Sequence, residues 1–233
     1  MADPSSSKSG LSEFLRYLAE IPERGDQRIP PLNELSHQLG LSVATLREQL
    51  EVARILGVVE VKPKAGIRKL PYDFRPALFT SLAYAVESGA FSFQMFSDLR
   101  KHLETAYFVE AAQLLTPADI ENLSDLVRSA QEKISRVPGQ VPVSEHRKFH
   151  LLMYKNLNNP YLSGFFEAYW EVYRIAGLEI YPDLNYAERV WQFHARIIEQ
   201  IKIGNYSQGL KYLVEHMELV NQRVKEPPRL SFE

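Results

Sequence analysis

The sequence predicts a mainly α protein in two parts: an N-terminal winged helix-turn-helix with a small β-hairpin wing, then a C-terminal all-α helical bundle. Three observations carry that prediction. A compact block over 32–56 holds two short helical patterns separated by Gly40. Directly behind it, Val58, Val59, Val61 and Ile67 flank the turn residues Pro63, Lys64, Ala65 and Gly66, a β-hairpin pattern. From Asp73 onward the apolar residues recur at helical spacing through to the C-terminal tail. The expected domains are a disordered tail at 1–10, a DNA-binding domain at 11–72, a helical domain at 73–226 and a second tail at 227–233.

In chain order, apolar residues at 11, 14, 15, 18 and 21 predict a first helix over Leu11–Ile21, broken by Pro22 and Gly25. Pro30-Pro31 suits the start of a second helix, Leu32–Leu39, and Gly40 suits its stop, where a left-handed backbone is cheap for glycine. Ser42 caps the third, Val43–Leu56, single-sidedly because no acidic residue stands at the capping-box position. Helix, glycine turn, helix is the helix-turn-helix pattern, whose second helix is the one expected in the major groove. Lys62, Lys64, Arg68 and Lys69 cluster at the hairpin. Between Arg28 and Lys69 seven Lys and Arg stand against four Glu, so this module is basic although the whole chain carries −2. A charge run is ordinarily a solvated edge; behind a helix-turn-helix it reads as a wing gripping phosphate.

The second part opens with a helix over Pro76–Glu87, broken at Gly89. A second covers Phe93–Leu115, with Leu99, Leu103, Ala106 and Tyr107 on one face. A third runs Pro117–Arg136, capped by Thr116 with Asp119 in its first turn. A loop with Pro138 and Gly139 leads to a helix that begins near Ser144 and ends at Asn158-Asn159-Pro160. Tyr161–Gly177 carries Phe165, Phe166, Tyr169, Trp170 and Tyr173, an aromatic stripe read as core. Tyr186–Ile203 and Ser207–Lys225 form the last pair, joined at Gly204-Asn205.

At 233 residues the chain is long enough for two modest cores. It has no cysteine, which excludes disulfides and thiolate chemistry and leaves His, Asp and Glu as strong metal ligands. The polar start shows no signal peptide and no run reaches membrane-span length, so a cytoplasmic protein without a membrane partner is expected. Against that background VSEHRKFH stands out: His146 and His150 are four apart and leave one helical face that continues through Met153, Tyr154 and Leu157. Imidazoles on an apolar stripe need partners, either hydrogen bonds or a metal. His194 lies ten residues before Gly204 and His216 twelve after, so in an antiparallel hairpin both sit about 15–18 Å from the turn, nearly level. Four of the six histidines are thus placed to converge. His37 is expected on an exposed face, and His102 has no matching partner.

Two stretches carry a family resemblance. IPPLNELSHQLGLSVATLREQLEVARILGVVEVKPKAG resembles the winged helix of the GntR transcription regulators, keeping Pro30, Glu34, Leu35, Leu39, Gly40, Ser42, Thr45, Arg47, Glu48, Leu50, Gly57 and Gly66 in register. It departs at Asn33 and Val43, where relatives commonly carry arginine. The resemblance implies DNA contacts from Ser42, Val43, Thr45, Arg47, Lys62, Lys64, Gly66 and Arg68. The second half resembles the FCD effector domain of FadR-type members: Arg100 and Glu104 match R-x-x-x-E, His146–His150 with Asn159-Pro160 match D-x-x-x-H followed by N-P, and His194 and His216 match the last histidine pair. What this implies is a homodimeric regulator that binds double-stranded operator DNA, takes a small organic acid at Arg100 and Glu104, and holds a divalent transition metal, zinc before nickel, on His146, His150, His194 and His216. His146 stands where relatives have aspartate, which leaves the site one negative charge poorer and favours Zn, Ni or Cu over Mg or Ca. Glu145 points about 100° away and is not expected to substitute. Two alternatives stay open: a metal-dependent enzyme, for which no Asp or Glu base is evident beside the histidines, and a metal-free regulator with a hydrogen-bonded histidine cluster. Arg100 and Glu104 also admit a plain reading, an i,i+4 ion pair worth about 0.3–0.5 kcal/mol if exposed.

Overall fold

The computed structural model describes residues 10–23, 27–136, 142–177 and 184–225, with backbone alone at Leu184 and 220–225. The two predicted tails, apart from Gly10, and the loop at Val137–Val141 lie outside the described residues. The chain divides into two compact units, Met1–Thr80 and Ser81–Glu233. The division falls inside a helix, eight residues beyond the boundary expected at 72.

The first unit is a winged helix-turn-helix. Helix α1 (Glu13–Glu20) starts where Ser12 accepts the Leu15 N–H, two residues inside the expected Leu11. Strand β1 (Arg28–Ile29) follows, then α2 (Leu32–Leu39), α3 (Val43–Ile55), β2 (Val59–Lys62) and β3 (Gly66–Lys69). Gly40 adopts the left-handed conformation that ends α2, and the Ser42 hydroxyl accepts the Thr45 N–H to start α3. The sheet is antiparallel in the order β1-β3-β2, with Ile29 opposite Ile67 and Val61 on the other side of Ile67. The third strand was not expected from the sequence, because two residues set between polar residues and prolines show no period. Phe14, Leu18, Ile29, Leu35, Leu46, Ala53, Val59 and Ile67 form one core.

Helix α4 (Arg75–Glu87) spans the division. In the second unit α5 (Phe93–Gln113), α6 (Pro117–Arg136), α7 (Val143–Tyr154), α8 (Pro160–Ile175), α9 (Leu184–Lys202) and α10 (Tyr206–Lys225) build an all-α bundle. α10 packs on α9 and α5, and α6 packs on α9 and α7. Thr116 and Asp119 form a reciprocal cap on α6: the Thr116 N–H donates to Asp119 and the Asp119 N–H donates to the Thr116 hydroxyl. A single 3₁₀ turn (Lys155–Leu157) and Asn158 with φ 51° end α7, and the Asn159 side chain then caps α8. The aromatic stripe of α8 is core, with Phe165, Phe166, Tyr169, Trp170 and Tyr173 all buried.

The buried face of α5 differs from the expected one. Leu99 is 47% exposed, whereas Phe96, Ser97, Arg100, Glu104, Phe108 and Ala111 point inward. Apolar spacing misidentified the face because α5 turns an ion pair into the core, and a buried charge pair is invisible to a hydrophobic period.

Candidate metal centre and DNA-facing surface

α7, α9 and α10 bring the four histidines together. His146 and His150 leave one face of α7 a turn apart, and the ring centroids of His194 and His216 lie 4.4 Å from each other. The level placement read from the hairpin at Gly204 is what the fold contains. One nitrogen from each ring falls within 4.8 Å of the other three. Three of those approaches are close: His150 Nε2 to His194 Nε2 at 3.2 Å, His150 to His216 at 3.3 Å, and His146 to His216 at 3.4 Å. A tetrahedral ion with metal–nitrogen bonds of about 2.0–2.1 Å places its ligand atoms about 3.3–3.4 Å apart, so these spacings suit one. His150, His194 and His216 are sealed at 0–1% exposure, and His146 is half-buried, so the centre faces outward on the His146 side.

Hydrogen bonding fixes where the protons are. His194 Nδ1 lies 2.7 Å from the Val190 carbonyl, which can only accept, so Nδ1 carries the hydrogen. His150 Nδ1 lies 2.7 Å from Glu104 Oε2, and the two share one hydrogen. Burial, with neighbouring rings and Arg100 adding to it, pushes all four imidazoles well below their ordinary pKa, so they are neutral. His194 Nε2, its lone pair free, faces His150 Nε2 across 3.2 Å. The residues fit a metal: one nitrogen from each of four imidazoles converges at spacings a tetrahedral ion accepts.

Glu104 reaches the centre from α5. Its Oε1 accepts from Arg100 Nε at 2.6 Å while Oε2 lies against His150 Nδ1, and the Glu104 carbonyl accepts from Tyr154 Oη at 2.9 Å. Burial pushes Glu104 above the usual carboxylate range while Arg100 pulls it back, and Glu104 in turn raises the Arg100 guanidinium against the cost of burial, so Arg100 stays charged. This corrects one expectation: a carboxylate does stand beside the histidines. The i,i+4 pair of Arg100 and Glu104 is present and buried, at 2% and 0% exposure. The sequence signal was present in the Arg100–Glu104 spacing, but it did not reveal that Glu104 reaches His150. The Arg100 guanidinium lies over Tyr169 at 4.4 Å and Trp170 at 4.8 Å, and its Nη2 is buried with no hydrogen-bond partner among the described residues. Glu145 turns away, as expected, to Lys133 at 2.5 Å, which holds its carboxyl below the usual range against the cost of burial. His37 is exposed, and His102 Nδ1 lies 2.8 Å from the Asp98 carbonyl.

On the first unit Arg47, Lys62, Lys64, Gly66 and Arg68 are exposed. Lys64 and Gly66 take positive φ at the hairpin turn, 64° and 80°. The hydroxyls of Ser42 and Thr45 lie 2.9 Å apart, within the α3 cap, and Val43 is half-buried. The basic cluster is thinner than the sequence implied. Lys69 turns inward to the Ile21 carbonyl at 2.5 Å, Arg54 pairs with Glu51 and Lys62 with Glu60.

Comparison with known proteins places this geometry. The FCD domain pattern matches residues 96–219. The chain is 24% identical over 205 residues to the Uxu operon regulator of Haemophilus influenzae, covering 85% of this chain and 74% of the relative. It is 20% identical over 226 residues to an uncharacterized HTH-type transcriptional regulator, YcbG, of Bacillus subtilis, covering 94% and 89%. In fold it is similar to the Streptococcus agalactiae GntR structure, with TM-score 0.62 at 17% identity, covering 90% of this chain and 95% of that one.

Proposed function

From a chain that belongs to the FCD-domain branch of the GntR transcription regulators, we propose a FadR-type, homodimeric, cytoplasmic regulator whose operator affinity responds to a small organic acid bound beside a divalent metal. No described helix is long and apolar enough to cross a membrane. The observation that carries the metal is the convergence of one ring nitrogen from each of His146, His150, His194 and His216 within 4.8 Å of one another. His146, His150, His194 and His216 would hold the ion through Nε2, with zinc the best match to all-imidazole ligation and nickel second. An ion held there would supply a Lewis-acidic positive charge.

This chain's residues do the rest. Glu104 and the Val190 carbonyl hold His150 and His194 in the tautomer that exposes Nε2. Arg100, stacked on Tyr169 and Trp170, offers Nη2 to an acid group. Arg47, Thr45, Ser42 and Val43 at the start of α3 meet the major groove, and Lys62, Lys64, Gly66 and Arg68 meet phosphate. Effector binding shifts operator affinity through a difference in its own affinity for two states of the protein.

Metal content of the purified chain after incubation with zinc or nickel and desalting tests this. One equivalent per chain is expected, lost in His150→Ala. Wild-type protein that retains no metal from either solution overturns the metal centre and returns the histidines to a hydrogen-bonded cluster.

A further inference from the structure

A cavity of about 490 Å³ lies within the first unit, walled by α1, the chain just after α3, the chain just after β3 and the start of α4. Leu15 and Leu18, three apart on α1, face it, with Leu11 just ahead of the helix. Leu56, Val58 and Leu70 form the opposite wall, where the Leu70 N–H donates to the Val58 carbonyl at 2.8 Å. Phe74 and Ala77, at the start of α4, close the remaining side. Leu15, Leu56, Val58, Leu70 and Phe74 are all only half-buried, because each turns part of its surface to this space. Protein interiors are otherwise close-packed, and a void lined by apolar side chains gains contacts when an apolar molecule enters it. The volume falls within the range of small-molecule pockets, about 300–1,000 Å³.

The bordering charges say what kind of molecule fits. Glu23 is exposed to solvent. Lys69 Nζ donates to the Ile21 carbonyl at 2.5 Å, and Asp73 takes both the Arg75 N–H and the Arg75 guanidinium. Two acidic and two basic side chains therefore balance at the rim, and a charged group inside the cavity would lose its water without a dedicated counterion. We propose that this cavity is a ligand site for an uncharged, apolar small molecule, aromatic or hydrocarbon-rich. A concave site of this size suits such a molecule better than a protein face, which needs about 800 Å² per partner. An occupant would touch α1, the end of α3, the root of the wing and the start of α4 together. No residue of the site belongs to the histidine centre or to the proposed DNA contacts, so it stands or falls apart from the metal.

Titration of the full-length protein with N-phenyl-1-naphthylamine, an uncharged fluorophore that brightens in apolar surroundings, tests this. Its comparison is 1-anilinonaphthalene-8-sulfonate, the same two ring systems carrying a sulfonate. Saturable binding of one uncharged probe per chain is expected, with the sulfonate weaker by about tenfold or more. Ala77→Phe and Ala19→Phe fill the cavity from two different helices, which keeps the test available where one substitution disturbs folding. Each is expected to weaken the uncharged probe by about tenfold or more. Met95→Glu, on an exposed part of α5 in the second unit, is expected to leave probe binding unchanged. Wild type that binds no uncharged probe overturns the proposal, and so does a sulfonate bound as tightly. Probe binding that survives the filling substitutions, or that is lost in Met95→Glu, places the probe on another surface and overturns it equally.

Discussion

Glu104 links three groups that would each be costly alone: a sealed guanidinium, a histidine whose tautomer matters, and the end of a tyrosine bond. Arg100 cannot neutralise itself, so removing its partner leaves an uncompensated buried charge. Glu104→Ala is expected to destabilise the helical unit by about 3–5 kcal/mol, read by urea denaturation, far above the few tenths that a surface i,i+4 pair contributes. A loss below about 1 kcal/mol would show that the pair is solvated in solution. The histidines give a pH signature of definite sign. Their folded pKa values are depressed, so in metal-free protein their contribution is complete above about 6.5, the unfolded value, and is lost as pH falls below it, by about 1.4 kcal/mol per pH unit for each histidine still neutral when folded. Glu104, raised instead, opposes this with at most one proton. Thermal unfolding between pH 7.5 and 5 should therefore show a steep fall for metal-free protein. A flat profile would mean the four rings are not buried neutral. These residues were legible in the sequence because imidazoles at i, i+4 and equidistant from a turn follow from helix geometry alone. Glu104's grip on His150 was not legible, since it depends on how α5 rotates against α7, and no single helix encodes that.

At the scale of elements, glycines separate what backbone conformation requires from what packing requires. Gly57 closes α3 at φ +71°, and a Cβ there would come within 2.5 Å of the Pro76 ring at the start of α4. Gly204 joins α9 to α10 at φ +72° with nothing within 4 Å. Alanine at 204 meets the left-handed strain alone, about 1 kcal/mol, whereas alanine at 57 adds a clash with a rigid ring. Denaturation should thus find Gly57→Ala the more destabilising by at least about 1 kcal/mol; equal losses would mean that Pro76 yields freely. The same contrast explains what the sequence disclosed. Turn glycines, caps at Ser42 and Thr116, and helical periods are local and disclosed each α-helix of the described residues. β1 was missed because two residues gain strand character only from β3, and the inner face of α5 was missed because its buried members are charged.

For the whole molecule, charge separates the two units' tasks. The chain carries −2 overall, so no global field draws it to DNA, and affinity must come from a local surface on the first unit. Lys69, Arg54 and Lys62 already have intramolecular partners, which moves weight onto Arg47 at α3 and onto Lys64 and Arg68 at the hairpin. A phosphate contact and a base contact then leave different traces. Each phosphate neutralised contributes about 0.9 to the slope of log affinity against log salt, irrespective of sequence. Lys64→Ala is expected to weaken operator and random DNA alike and to flatten that slope by about one unit. Arg47→Ala is expected to cost about 1–3 kcal/mol on operator DNA and much less on random DNA, because a side chain reading a base edge carries the discrimination. Fluorescence anisotropy titrations between 50 and 200 mM salt (roughly the range over which phosphate contacts dominate the change) separate the two. If Arg47→Ala lowers both affinities equally and flattens the slope, the residue grips backbone instead. Sequence reading must then come from elsewhere on α3, where Val43 replaces the arginine that relatives commonly carry.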